Sequence, residues 1–231
     1  MIQIENISKK FGGTVVVNIP HLEIKKNESF GLVGNNGAGK TTLFRMLLDL
    51  IRPSSGSVTI NGIAVKGNAA WKGFTGSYLD EGFLIGFLTP DEYFQFIGSL
   101  HKLNKAEVKE RLSMFEDFFN GEITGNKKYI RDLSKGNQKK VGIAAAMLSK
   151  PELLVLDEPF ANLDPSTQIR LKNLLRDYKS QNENTLLVSS HDLSHVTEVC
   201  ERIVVLEKGE TIKDIKTGES TLKELEEYFA A

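Results

Sequence analysis

SFGLVGNNGAGKTTLFRMLLDLI, residues 29–51, carries a short apolar run into a glycine-rich turn and then into a helical pattern that Pro53 stops. The order predicts a buried strand, a loop and a helix. Within it GNNGAGKT, residues 34–41, matches G-x-x-x-x-G-K-[ST] in the strand–turn–helix setting that gives the pattern its meaning. Its physical logic is anion binding. Gly34, Gly37 and Gly39 free the backbone to turn N–H groups into one concavity, the following helix aims its positive end there, and Lys40 adds a full charge for outer phosphates. Thr41 is placed to offer its hydroxyl to Mg²⁺. The candidate phosphate-binding residues are therefore Gly34, Asn35, Asn36, Gly37, Ala38, Gly39, Lys40, Thr41 and Thr42.

Outward from this unit the chain sorts into three kinds of pattern. Before it, Ile2, Ile4 and Ile7, then Val15, Val17 and Ile19, alternate as in antiparallel strands; after it, SVTINGIAV (57–65) is a hairpin signal with Asn61-Gly62 at the turn. From about 76 to 150 the character is helical, with Thr89-Pro90-Asp91-Glu92 as a capping box and Asn104 with Glu107 opening a second helix. LLVLDEP (153–159), TLLVSSHD (185–192) and RIVVLEKGE (202–210) are apolar strands separated by helices that start near Asp164-Pro165 and Asp192, the pattern of a parallel sheet. Thr221 with Glu224 is expected to cap a last short helix. The chain is thus expected to be one α/β domain over 1–231. Residues 1–75 and 151–231 would form a mixed parallel sheet core with an N-terminal antiparallel β subdomain, and about 76–150 an inserted helical subdomain.

Bulk properties remove several classes of partner. The formal net charge of −1, with 26% charged residues, gives no global field that would hold the chain on nucleic acid or an anionic membrane. Cys200 is the single cysteine, which excludes an intramolecular disulfide and a Cys-built zinc site and fits a reducing compartment. No run approaches the ~18 apolar residues of a membrane span. The basic residues Lys127, Lys128, Arg131, Lys139 and Lys140 lack interleaved aromatics and read as a solvated face.

Two carboxylates complete the nucleotide chemistry. Asp157 closes the apolar strand LLVL, so its side chain emerges at the C-terminal edge of the sheet beside the glycine loop, where it can hold Mg²⁺. Glu158 follows directly and can orient and deprotonate an attacking water, a role worth roughly 10²–10⁴ in rate. These elements say P-loop NTPase, a class that includes kinases, GTPases and helicases. No NKxD base-reading motif for a GTPase is present. The stretch LSKGNQKK (133–140), placed before LLVLDEP, with ANLDP directly after it and His191 closing VSSH, decides between them. In that order the chain resembles, over essentially its whole length, the ABC-type ATPases, the nucleotide-binding cassettes of ABC transporters.

The resemblance assigns expectations residue by residue. LSKGNQKK matches the signature motif, which in the ATP-bound dimer faces the γ-phosphate held by the other subunit. Ser134, Gly136 and Asn137 would make that contact, and Lys135 and Asn137 depart from the usual LSGGQ. Phe11 matches the ring that stacks on adenine, His191 the switch histidine at the γ-phosphate, and Asp164 the loop that crosses to the other subunit. His21, His101 and His195 match nothing and are expected at the surface. In YLDEGF (78–83) Glu81, or less well Asp80, takes the place of a usual Gln that reaches Mg²⁺ and the membrane subunit. The following GFLIGFL (82–88) is expected to turn some side chains inward and at least one or two into a groove for a permease helix.

The function implied is an ATP- and Mg²⁺-dependent ATPase subunit, a homodimer or a heterodimer with another such subunit. It would power a separate transmembrane permease from the cytoplasmic face of the membrane, with no nucleic-acid partner. The LSKG form and the chain length look most like cassettes of ABC-2-type exporters. The alternative is a soluble ABC ATPase of a non-transport assembly, such as iron–sulfur cluster assembly.

Overall fold

β1 (Ile2–Phe11) and β2 (Thr14–Ile24) pair antiparallel, and the alternating Ile2, Ile4, Ile7, Val17 and Ile19 are fully buried on one face. The computed structural model describes residues 1–230. β3 (Ser29–Val33) leads through the glycine loop to α1 (Lys40–Leu47). β4 (Ser55–Ile60) pairs with the other edge of β1 and turns at Asn61-Gly62 into β5 (Ile63–Ala64), giving a four-stranded antiparallel sheet in the order β2-β1-β4-β5. The hairpin signal appears where the sequence places it, and so does the alternation except at Val15, which is exposed beyond a register shift at Lys9/Lys10.

β6 (Thr75–Tyr78) precedes four helices: α2 (Pro90–Leu100), α3 (Lys105–Leu112), α4 (Glu116–Phe119) and α5 (Lys135–Met147). Both expected capping boxes form, Thr89 with Glu92 and Asn104 with Glu107. Phe94 and Phe115 stack on Phe119, with Phe118 tilted beside it, in an aromatic core among these helices. β7 (Leu153–Asp157), α6 (Pro165–Gln181), β8 (Thr185–Ser190), α7 (Leu193–Val199), β9 (Arg202–Glu207), β10 (Glu210–Lys216) and α8 (Thr221–Ala230) complete the order. The second sheet runs β10-β9-β3-β8-β7-β6, parallel except for β10.

Two details depart from expectation. Thr75–Tyr78 belongs to the core sheet, paired parallel with β7, although the helical insert was expected to begin at about 76. The strand TGSY has no apolar run because its pairing, not its own side chains, fixes it at the sheet edge. At the other end, Glu224 accepts from the Ser220 hydroxyl at 2.6 Å, while the Thr221 hydroxyl accepts from the Gly218 N–H; the helix-opening pair is one residue earlier than expected.

The parallel strands are buried on both faces, and their alternation sorts two cores. Leu154, Leu156, Leu186, Val188, Ile203 and Val205 pack towards α5, α6 and α7; Leu153, Val155, Leu187, Val204 and Leu206 pack towards α1 and the antiparallel sheet. α5 is buried almost all round, which accounts for its alanine-rich run. Gly142 is required there, because a Cβ would lie 2.3 Å from the Tyr78 ring. Through this close contact α5 sits directly on β6.

Candidate active site

The register of three strands builds the site. Val33 pairs with Ser190 and Asp157 with Ser189, so the loop after β3, the acidic pair at the end of β7 and His191 after β8 emerge side by side at the C-terminal edge. The loop is packed from outside: the Ala38 carbonyl accepts from Gly209 N–H at 2.9 Å. Gly39 adopts φ 110°, and a Cβ there would lie 2.8 Å from the Val16 carbonyl, so only glycine fits before α1.

Lys40 is buried, and its ammonium donates to the Gly34 carbonyl at 2.6 Å and lies 3.2 Å from Glu158 Oε1. Glu158 Oε2 accepts from His191 Nδ1 at 2.9 Å. Asp157 is buried, and that burial raises its carboxyl above the usual range; hydroxyls of Ser189 and Thr41 beside it pull the other way. Ser189 also holds the Glu158 N–H at 3.0 Å. Glu158 itself has φ 46°, a left-handed conformation that a side-chain-bearing residue adopts only when its neighbours impose it.

The hydroxyl of Thr41 and the carboxylate of Asp157 are hard oxygen donors at the loop, and the described residues contain no cluster of three or more His, Cys, Asp or Glu side chains that could hold a metal. Such a sparse donor set suits a cation that keeps several waters and takes substrate phosphates, as Mg²⁺ does. Glu81 is elsewhere engaged: its Oε1 accepts from the Tyr78 hydroxyl at 2.9 Å. Asp80 caps its own turn through Gly82 N–H and faces Arg45 at 3.5 Å. Phe11 is exposed at the end of β1, with the Lys9 ammonium 4.8 Å from its ring centroid.

A second hollow gathers Ser134, Gly136, Asn137, Asn162 and Asp164. Ser134 is the N-cap of α5, accepting from Asn137 N–H at 3.2 Å, and Asp164 is the N-cap of α6. Hydroxyls of Ser166 and Thr167, with the Thr167 N–H, hold the Asp164 carboxyl well below the usual range. The hollow thus presents a helix start, a glycine and a hydroxyl, a set able to receive an anion.

The expected solvated basic face divides. Lys127, Lys128 and Arg131 are exposed, but Lys139 and Lys140 are buried. Lys140 pairs with Glu122 at 2.6 Å, and Lys139 donates to the carbonyls of Glu158 and Ala161 at 2.9 and 2.8 Å. The apolar run VGIAAAML directly after these two lysines was the available signal, since burial in α5 is continuous from Gln138 to Met147. Of the unassigned histidines, His21 is exposed, whereas His195 is buried against Phe160, ring centroids 4.6 Å apart. Ser189 and Tyr78, which hold Asp157 and Glu81, carried no sequence signal.

Comparison with known proteins follows the same lines. Residues 17–161 match the family model described as ABC transporter. The chain is 36% identical over 229 residues to an uncharacterized ABC transporter ATP-binding protein, YhaQ, of Bacillus subtilis, covering 99% of this chain and 74% of that one. It is 33% identical to the bacitracin transport ATP-binding protein BcrA of Enterococcus faecalis, covering 95% and 70%. Among solved structures it superimposes with a TM-score of 0.82 and 25% identity on the dimeric post-hydrolysis state of the ATP-binding cassette MJ0796 bound to ADP and Pi, covering 94% of this chain and 99% of that one.

Proposed function

The chain belongs to the ABC transporter family of ATP-binding proteins, and on that premise we propose that it hydrolyses ATP within a dimer and thereby drives a separate transmembrane permease. The observation that carries this reading is the row of Lys40, Asp157, Glu158 and His191 at one sheet edge, joined to a separate anion-receptive hollow at Ser134. Each chain then supplies two unlike halves of a site. The glycine loop and Lys40 bind the phosphates of one ATP, and Ser134 and Gly136, with Asn137, close over the ATP held by the other subunit. Phe11, exposed on one side, is free to stack on adenine. Thr41 and Asp157 would hold Mg²⁺, whose bound charge offsets that of the phosphates. Glu158 takes the proton of the attacking water, and His191 orients that carboxylate and meets the γ-phosphate. Glu81, here bound to the Tyr78 hydroxyl, would be a further oxygen donor for Mg²⁺, and Asp164 faces the other subunit beside Ser134.

The partner is read from the helical side. Leu84, Ile85 and Leu88 pack against the core, but Phe83 and Phe87 are more than half exposed. Phe83 and Leu84 border a groove of about 370 Å³ floored by Tyr78 and Gly142. A cytoplasmic helix of the permease seated there would touch the turn that carries Glu81. No helix among the described residues is long and apolar enough to cross a membrane, so membrane attachment through that partner is the route proposed. The LSKG form favours an exporter of the ABC-2 type. The test is expression of the chain in its native setting, extraction in mild detergent and capture. Co-purification of a protein with several membrane spans, together with Mg²⁺-dependent ATPase activity, is expected; capture of an iron–sulfur assembly complex instead would overturn the transport reading.

A further inference from the structure

We propose that Lys139 is a positioning residue for hydrolysis: its buried ammonium fastens the Glu158–Ala161 turn to α5 and so fixes where the Glu158 carboxylate points. The inference rests on the reading of Glu158 as the base. Lys139 is 5% exposed, and two of its three N–H donors are spent on the carbonyls of Glu158 and Ala161, at 2.9 and 2.8 Å. The Tyr78 ring lies 5.9 Å away.

The turn needs such a fastening. Glu158 has left-handed backbone, φ 46°, which a glutamate keeps only under external constraint, and Asn162, φ 62°, turns the chain again through the region that asparagine tolerates. The turn's own hydrogen bonds are long, Ala161 N–H to the Glu158 carbonyl at 3.3 Å and Leu163 N–H to the Phe160 carbonyl at 3.4 Å. The bonds from Lys139 are shorter and charge-assisted. Glu158 is therefore bracketed, its N–H held by Ser189 and its carbonyl by Lys139, with the carboxylate between.

A buried ammonium is costly unless anions surround it. Burial does lower the Lys139 pKa, but the carboxylates of Glu81, Glu158 and Asp157 oppose that shift. The same groups that would act on the nucleotide thus oppose the effect of burial on Lys139, which ties this side chain to the site and not to general packing.

The test compares the full chain with Lys139→Met, which keeps the length and loses the donors, and Lys139→Gln, which keeps donors without the charge. With MgATP as substrate, Lys139→Met is expected to lower kcat by about 10- to 100-fold, as a misplaced catalytic group does, with KM within about threefold of the unsubstituted chain. Lys139→Gln should fall between the two. Hydrogen exchange at residues 158–163 should quicken in Lys139→Met while the remaining core stays protected. Should Lys139→Met fail to fold, Lys139→Gln against the unsubstituted chain carries the same comparison. An unaltered kcat, or a loss of kcat with unaltered exchange at 158–163, would overturn the proposal and leave the ATPase reading standing. Absence of Mg²⁺-dependent hydrolysis in the unsubstituted chain would overturn both.

Discussion

Nδ1 of His191 lies 2.9 Å from Oε2 of Glu158, where β7 and β8 end side by side. A carboxylate partner accepts the Nδ1 proton in a hydrogen bond and leaves Nε2 turned away from Glu158. The other oxygen, Oε1, is 3.2 Å from the Lys40 ammonium. One carboxylate therefore links the phosphate-binding loop to the histidine, and all three can respond to one phosphate.

Glu158→Gln retains shape and hydrogen bonding and removes the base. Hydrolysis should fall by roughly 10²-fold or more, while ATP binding survives. Bound ATP then persists, so sizing with MgATP should reveal a stable dimer. Full activity in this variant would remove Glu158 from its assigned role.

Lys40→Ala takes away the charge beside the Gly34 carbonyl and Glu158. Loss of a charge-assisted contact of about 1.5–3 kcal/mol should weaken MgATP binding by roughly 10- to 100-fold in calorimetry. Unchanged affinity would place the phosphates elsewhere.

Most of the fold could be read from the chain because its signals were local and redundant. GNNGAGKT, the Asn61-Gly62 turn and the two capping boxes each fix a few residues by backbone chemistry alone. What stayed hidden depends on distant partners. TGSY becomes a strand because β7 lies beside it, Ser189 matters because Asp157 is opposite, and Lys139 is buried because the turn after β7 folds over α5. The positive φ of Glu158 has the same character, since a glutamate carries no local preference for it.

Gly142→Ala separates these influences by sign. In an exposed helix interior alanine is favoured over glycine by about 1 kcal/mol, but here its Cβ would meet the Tyr78 ring at 2.3 Å. Tyr78 is buried and hydrogen-bonded to Glu81, so overpacking of about 1–3 kcal/mol should dominate. The urea midpoint should fall with an unchanged slope; a rise would mean that α5 does not press on β6.

Ser134→Arg puts a bulky cation at the N-cap of α5, away from the glycine loop. MgATP binding to a single chain should be nearly normal and hydrolysis lost. Mixed with Lys40→Ala, it can form at most one intact composite site in each dimer, so activity above both single variants is expected. No recovery would argue that the hollow at Ser134 acts within its own chain or not on phosphate.

The stretch GFLIGFL offers a contrast inside seven residues. Phe83 and Phe87 are exposed, whereas Leu84 packs on the core beside the Cβ position of Gly142, 3.3 Å away. Exposed apolar rings, Phe83 at the groove edge and Phe87 four residues on, lose little folding energy when replaced, because they bury little in the free chain. Phe83→Ser and Phe87→Asp should therefore shift the urea midpoint hardly at all and keep the isolated chain's ATPase, while assembly with the permease is lost. Leu84→Asp should instead lower the urea midpoint clearly, because it sets an unpaired charge against a partly buried contact with the core. If the two phenylalanine variants assemble normally, the permease docks elsewhere; if they unfold, these rings are covered by this chain itself and the groove is not a binding surface.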